Sequence, residues 1–137
     1  MAFEHQRRIR FQDADPAGIV FFAHVLSFCH EAYEELLRSE GFPIESLVTG
    51  GAPGLPLRHA EVDFTGPMRI GMLVRIAVSL GKLSDRSFRV DYEVKDEEGA
   101  PLARASTVHV AVDRAAMKAT ALPEPLRAAL ARHLVKS

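Results

Sequence analysis

Apolar and polar positions alternate with two different periods along this 137-residue chain, and the two periods divide it into elements. From about Ala23 to Ser39 the apolar residues recur at helical spacing. Val25, Cys29, Ala32 and Leu36 share one face, and Leu26, Phe28, Tyr33 and Leu37 widen it. A stripe that broad predicts a helix largely surrounded by other structure. Gly41 ends it, with Pro43 just beyond. Four segments with a period of two come later. Residues 57–65 set Ala60, Val62 and Phe64 against His59, Glu61 and Asp63, and 72–80 puts Met72, Val74, Ile76, Val78 and Leu80 on one face. Residues 87–95 alternate Phe88, Val90, Tyr92 and Val94 with polar side chains, and 102–112 ends in Val108, Val110 and Val112. Asp96-Glu97-Glu98-Gly99 predicts a hairpin between the last two.

Three weaker segments complete the pattern. Residues 5–12 read as a short exposed strand with Ile9 and Phe11 inward, and 49–56, dense in Gly and Pro, as a loop. Pro123 to Leu134 predicts a short closing helix with Leu126, Leu130 and Leu134 in line. Runs of strands beside a segregated helix imply an α+β fold, an antiparallel five-stranded sheet wrapped on the long helix in a single domain over 1–137.

Composition narrows the function. A formal net charge of −1 argues against a nucleic-acid surface. The single cysteine, Cys29, excludes a disulfide framework and a multi-cysteine metal site, and is expected to pack within the helix face. No apolar run approaches the roughly 20 residues of a membrane span. The N-terminus has no signal-peptide core, so a cytoplasmic protein is expected.

The candidate chemistry lies in Phe11 to His24, FQDADPAGIVFFAH. Asp15 precedes Pro16 and is pushed into an extended conformation, Gly18 permits a positive φ, and the apolar run Ile19 to Phe22 leads into the helix. A fixed carboxylate would then face a helix N-terminus, whose amides favour negative charge. Acyl transfer needs both parts, a base or nucleophile and oxyanion donors. Either aspartate could instead only cap a turn. A calcium loop from Asp13 fails for want of ligands at Ala17 and His24, and an Asp-x-Asp phosphatase nucleophile would need a buried parallel strand. His24, His30, His59 and His109 have no metal-ligand spacing, so no metal is expected; His24 and His30 could be a base or merely exposed. Lys82, Arg86 and Arg89 flank the Ser84-Asp85 turn and Arg58 begins a strand: a solvated surface, or a phosphate site.

The motif F-x-D-x-D-P-A-G-I-V-F-F at 11–22 resembles the signature of the 4-hydroxybenzoyl-CoA thioesterase family, whose hotdog fold wraps an antiparallel sheet around a central helix. The similarity extends through E-A-Y-E-E-L-L at 31–37, G-L-P-L at 54–57 and Ser87-Phe88. The resemblance implies an acyl-CoA thioesterase without cofactor, working as a dimer or tetramer with sites at the subunit interface. It assigns Asp15 as nucleophile or general base and the backbone amide near Phe22 as the donor that polarises the thioester carbonyl. Gly18 would let the backbone approach the substrate, and Lys82, Arg86 and Ser87 would hold coenzyme A phosphates. Several members have Tyr or His where this chain has Phe22, and an acid where it has His30, so His30 would activate water or merely pack. The alternatives are a non-catalytic acyl-CoA-binding module and a hotdog hydratase or dehydratase.

Overall fold

The computed structural model describes residues 3–20, 22–49 and 52–135. Phe21 of the predicted apolar run, and Gly50 and Gly51 of the predicted loop, lie outside the described residues. The elements run β1 (Phe3–Arg8), α1 (His24–Ser39), α2 (Ile44–Thr49), β2 (Leu57–Phe64), β3 (Leu73–Leu83), β4 (Ser87–Lys95), β5 (Pro101–Val110), β6 (Val112–Asp113), β7 (Lys118–Ala119) and α3 (Glu124–Ala131). The first five strands form one sheet in the order β1-β3-β4-β5-β2, every pair antiparallel.

One face of that sheet closes on α1. Val74, Ile76, Val78 and Leu80 of β3, and Phe88, Val90, Tyr92 and Val94 of β4, are buried with Val25, Phe28, Cys29, Ala32 and Leu36 of the helix. Burying each such aliphatic or aromatic side chain contributes on the order of 1.5–3 kcal/mol. α1 ends where expected: Gly41 takes φ 88° and its N–H returns to the Arg38 carbonyl.

The fold departs from the pattern at the elements where tertiary contacts outweigh periodicity. Phe11 does not point inward. Residues Phe11–Asp13 form a 3-10 turn that turns the Asp13 carboxylate inside and leaves Phe11 84% exposed. α2 fills part of the expected linker, and the β6–β7 ribbon is a further addition. In β5 the inward positions are Ala103, Ala105, Thr107 and His109, with Ala111 buried just beyond, so Val108 and Val110 face outward. On β2 only Val62 of the expected apolar face is half-buried. Ala60 and Phe64 stay exposed, because β2 is an edge strand with no strand pairing its outer side among the described residues.

The register also fixes what lies at each end of the sheet. Leu73, Lys95, Ala103 and Phe64 mark one end, and Lys82, Arg89, Val108 and Leu57 the other. From Leu73 to Lys82 the strand rises about 30 Å.

Candidate active site

Asp15 sits at the mouth of a tight turn. Its N–H donates to the Ile19 carbonyl (2.9 Å), and its own carbonyl accepts from the Gly18 N–H (2.9 Å). Its Oδ1 accepts the Ala17 N–H at 2.8 Å, so the turn-capping role and a fixed carboxylate coexist in one residue. Gly18 has φ 82°, which makes the turn possible. The returning arm is stitched to the start of the Gly71 bend, with the Val20 N–H on the Met68 carbonyl at 2.8 Å. The Asp15 turn therefore belongs to the Leu73 end of the sheet.

α1 starts within four residues of Val20. Ala23 at its N-cap supplies no side-chain cap, so the first-turn amides are left for backbone groups, solvent or a ligand. Phe22 is 63% exposed at this end of the helix, and its carbonyl accepts the Val25 N–H. His24 opens the helix and is half-buried.

Asp13, two residues before Asp15, is held differently. It is 4% exposed, accepts the Arg10 N–H at 2.8 Å, and takes two hydrogen bonds from the Arg7 guanidinium at 2.9 and 3.0 Å. The same guanidinium donates to both oxygens of Glu31 on α1 at 2.8 and 2.7 Å. Arg7 read as an exposed strand residue in the sequence. The signal for its role was an Arg followed six residues later by an acid turned inward, which periodicity alone does not reveal.

His30 lies two turns beyond Phe22, about 12 Å along the helix axis. It is exposed, with Nδ1 3.3 Å from Glu34 Oε1. With Tyr33, Leu47, Leu55 and Arg114 it lines a cavity of about 190 Å³, and Asp15 is not part of that lining. Arg114 braces the cavity wall by donating to the Ala52 and Leu47 carbonyls at 3.0 and 3.1 Å.

The basic residues gather at the opposite end of the sheet. Lys82, Ser87, Arg58, His59 and Arg89 line a cleft of about 450 Å³. Arg89 is already committed to Asp91 at 2.9 Å, and the Ser87 hydroxyl pairs with that of Ser84 at 2.8 Å. Arg86 is exposed and does not line the cleft; its carbonyl accepts the Ala111 N–H. Arg58 lines the cleft beside Lys82.

Cys29 is fully buried, and burial pushes its thiol up to about 12, so it is a packing residue. Among the described residues no three His, Cys, Asp or Glu side chains are grouped as a metal ion would require. No helix among the described residues is long and apolar enough to cross a membrane.

Residues 9–130 match the thioesterase-like superfamily. The chain belongs to that superfamily. It is 38% identical over 126 residues to a 1,4-dihydroxy-2-naphthoyl-CoA hydrolase of Nostoc punctiforme, covering 92% of this chain and 84% of the relative. The corresponding hydrolase of Synechocystis is 36% identical over 129 residues, with 93% and 94% covered. Among solved structures, a 1,4-dihydroxy-2-naphthoyl-CoA thioesterase from Synechocystis superposes with a TM-score of 0.90 at 35% identity, with 96% of each chain covered. A gentisyl-coenzyme A thioesterase follows the same course at 27% identity and a TM-score of 0.84, with 93% of this chain and 98% of that one covered. The hotdog architecture and the thioester-hydrolase class expected from the motif are those of this superfamily. In this thioesterase the motif carboxylate, Asp15, and the basic cleft at Lys82 stand at opposite ends of one chain's sheet.

Proposed function

We propose that this chain is an acyl-CoA thioesterase that hydrolyses a hydroxylated aryl-CoA of the 1,4-dihydroxy-2-naphthoyl type to the free acid and coenzyme A. The observation that carries the reading is the Asp15 turn. A carboxylate fixed by the Ala17 amide stands a few residues of chain before a helix whose N-cap residue has no capping side chain. In the proposed reaction, Asp15 attacks the thioester carbonyl carbon, the coenzyme A thiolate leaves, and water hydrolyses the resulting mixed anhydride; in the alternative, Asp15 takes a proton from the attacking water. Either route builds negative charge on the carbonyl oxygen. The amide at Phe22 is the assigned donor for it, and Phe in place of a polar side chain leaves that main-chain role intact. Gly18 keeps the turn narrow. The substrate class is supported by relatives named for dihydroxylated aryl thioesters, naphthoyl and gentisyl. A 4-hydroxybenzoyl thioester is the nearest alternative chemistry.

The working unit in this reading is a pair of chains. Lys82, Ser87 and Arg58 are assigned to the coenzyme A phosphates, yet about 30 Å of β3 separates their end of the sheet from the Asp15 end. Antiparallel pairing of two β2 edges would set the Asp15 end of one copy against the basic cleft of the other. The exposure of Leu57 (50%) and Phe64 (48%) on an unpaired edge supports that arrangement.

The test is a panel of coenzyme A thioesters assayed for thiol release: 1,4-dihydroxy-2-naphthoyl, 4-hydroxybenzoyl, benzoyl and hexanoyl. The naphthoyl thioester is expected to have the highest kcat/KM, and a preference for hexanoyl would overturn the assignment.

A further inference from the structure

The Arg7 guanidinium joins three elements. It lies on β1, donates to both oxygens of Asp13 in the 3-10 turn, and donates to both oxygens of Glu31 on α1, with all four distances between 2.7 and 3.0 Å. The Phe28 ring lies beneath it, 4.2 Å from its central carbon, and Phe28 and Glu31 stand one turn apart on the same helix face. Its side chain and that of Asp13 are only 16% and 6% exposed. Asp13 in turn fixes the backbone two residues ahead of Asp15, through the Arg10 N–H and through the turn itself. Only Ala14, whose backbone is extended (φ −99°, ψ 153°), separates the two aspartates, so locking Asp13 fixes where the Asp15 turn begins. Glu31 ties the same guanidinium to α1, which begins at His24, just after Phe22, the residue whose amide is assigned to the carbonyl oxygen. The two halves of the proposed chemistry, carboxylate and helix N-terminus, are thus referred to a single planar fork.

We propose that Arg7 is a positioning residue for thioester hydrolysis, holding the Asp15 turn and the α1 N-terminus in one fixed relation through Asp13 and Glu31. This inference rests on the assignment of Asp15 as the reacting carboxylate. A fork of this kind needs a planar guanidinium. Nη2 serves Asp13 and Nη1 serves Glu31; a lysine ammonium keeps the charge that buried Asp13 requires but has a single nitrogen, which cannot stand in both places at once.

Arg7→Lys is therefore the informative variant, because it preserves the charge balance and the fold while loosening the geometry. A misplacement of about 1 Å costs roughly 10²-fold in rate. The expected result is a fall in kcat of about 10- to 100-fold with KM within a few fold, measured well below the thermal midpoint. Glu31→Gln, which leaves the Asp13 pair intact, should give a smaller fall in kcat with KM again unchanged. In an Asp15→Asn background, Arg7→Lys should cost nothing further, since it acts through that carboxylate. A merely structural Arg7 would lower the thermal midpoint and leave kcat of the folded enzyme untouched; that outcome in both single variants overturns the proposal. Full activity of Asp15→Asn alone would instead overturn the assignment of the carboxylate, so the two failures are distinguishable.

Discussion

Lowering the pH should unlock the core at His109. His109 is 1% exposed on β5. Its Nδ1 lies 3.2 Å from the Leu55 carbonyl, which can only accept, so Nδ1 carries the proton. Nε2 then accepts from the Thr107 hydroxyl at 3.0 Å, and Thr107 accepts from the Tyr92 hydroxyl at 3.0 Å. This one-way chain needs a neutral imidazole: a protonated ring has two donors and no acceptor for Thr107. Burial, the main cause, pulls the His109 pKa down from 6.5 to about 4. With the folded value depressed and the unfolded value ordinary, the unfolded chain binds more protons between those limits. Stability from this group is therefore complete above about pH 6.5 and is lost as the pH falls toward 4. The full loss is about 3 kcal/mol, a large share of the roughly 5–15 kcal/mol typical of a domain. The loss should be felt first at the Leu55 wall of the His30 cavity, which His109 anchors. Urea unfolding at pH 7.5, 6.5, 5.5 and 4.5, on the wild type and His109→Gln, measures it. The wild type should lose stability steeply across the window, and the variant, weaker at neutral pH, should be much flatter there. Glu40, whose pKa is lowered chiefly by its hydrogen bond from Arg132, keeps its stabilisation above its ordinary value of 4.5 and loses it only below, so it adds little to the slope across this window. Parallel pH dependences for the two proteins from 6.5 to 4 would refute the reasoning.

Asp13→Asn should lower stability by about 2–4 kcal/mol by breaking a buried ion pair, whereas Asp15→Asn should melt close to the wild type; differential scanning calorimetry distinguishes them. Lys82→Ala and Arg58→Ala should each raise KM with kcat nearly kept, and the gap to the wild type should narrow in high salt. An unchanged KM in both would return the cleft to a solvated surface. Phe64→Glu on the β2 edge should shift light scattering of the purified protein toward the monomer and lower activity with it.

The sequence carried the architecture wherever one face of an element met one core. β3 and β4 alternate cleanly because the inward residues from Val74 to Leu80 and Phe88 to Val94 all enter the core that includes α1, and α1 itself was legible from Val25 to Leu37. The pattern misled where polar side chains are buried or apolar ones are not. Thr107 and His109 occupy inward positions by satisfying each other, while Val108 and Val110 look like core and face out. Phe11 was assigned inward because nothing local shows that Asp13 needs that side for Arg7. β2 alternates Ala60, Val62 and Phe64 with polar residues, yet of that apolar face only Val62 is half-buried. Around the motif, the turn at Asp15, the positive φ of Gly18 and the helix start just after Phe22 were readable because proline, glycine and a helix start act locally. Arg7 and the pairing of Arg58 with Lys82 depend on register between strands distant in sequence.

The central claim is that Asp15 carries thioester hydrolysis, and the direct measurement is steady-state hydrolysis of 1,4-dihydroxy-2-naphthoyl-CoA by Asp15→Asn beside the wild type. The substitution keeps size and the Ala17 hydrogen-bond acceptor while removing the charge. The expected result is kcat reduced by about 10² or more with KM within a few fold and the melting temperature unchanged. Wild-type kcat in a folded Asp15→Asn protein would contradict the claim and move the chemistry to another side chain.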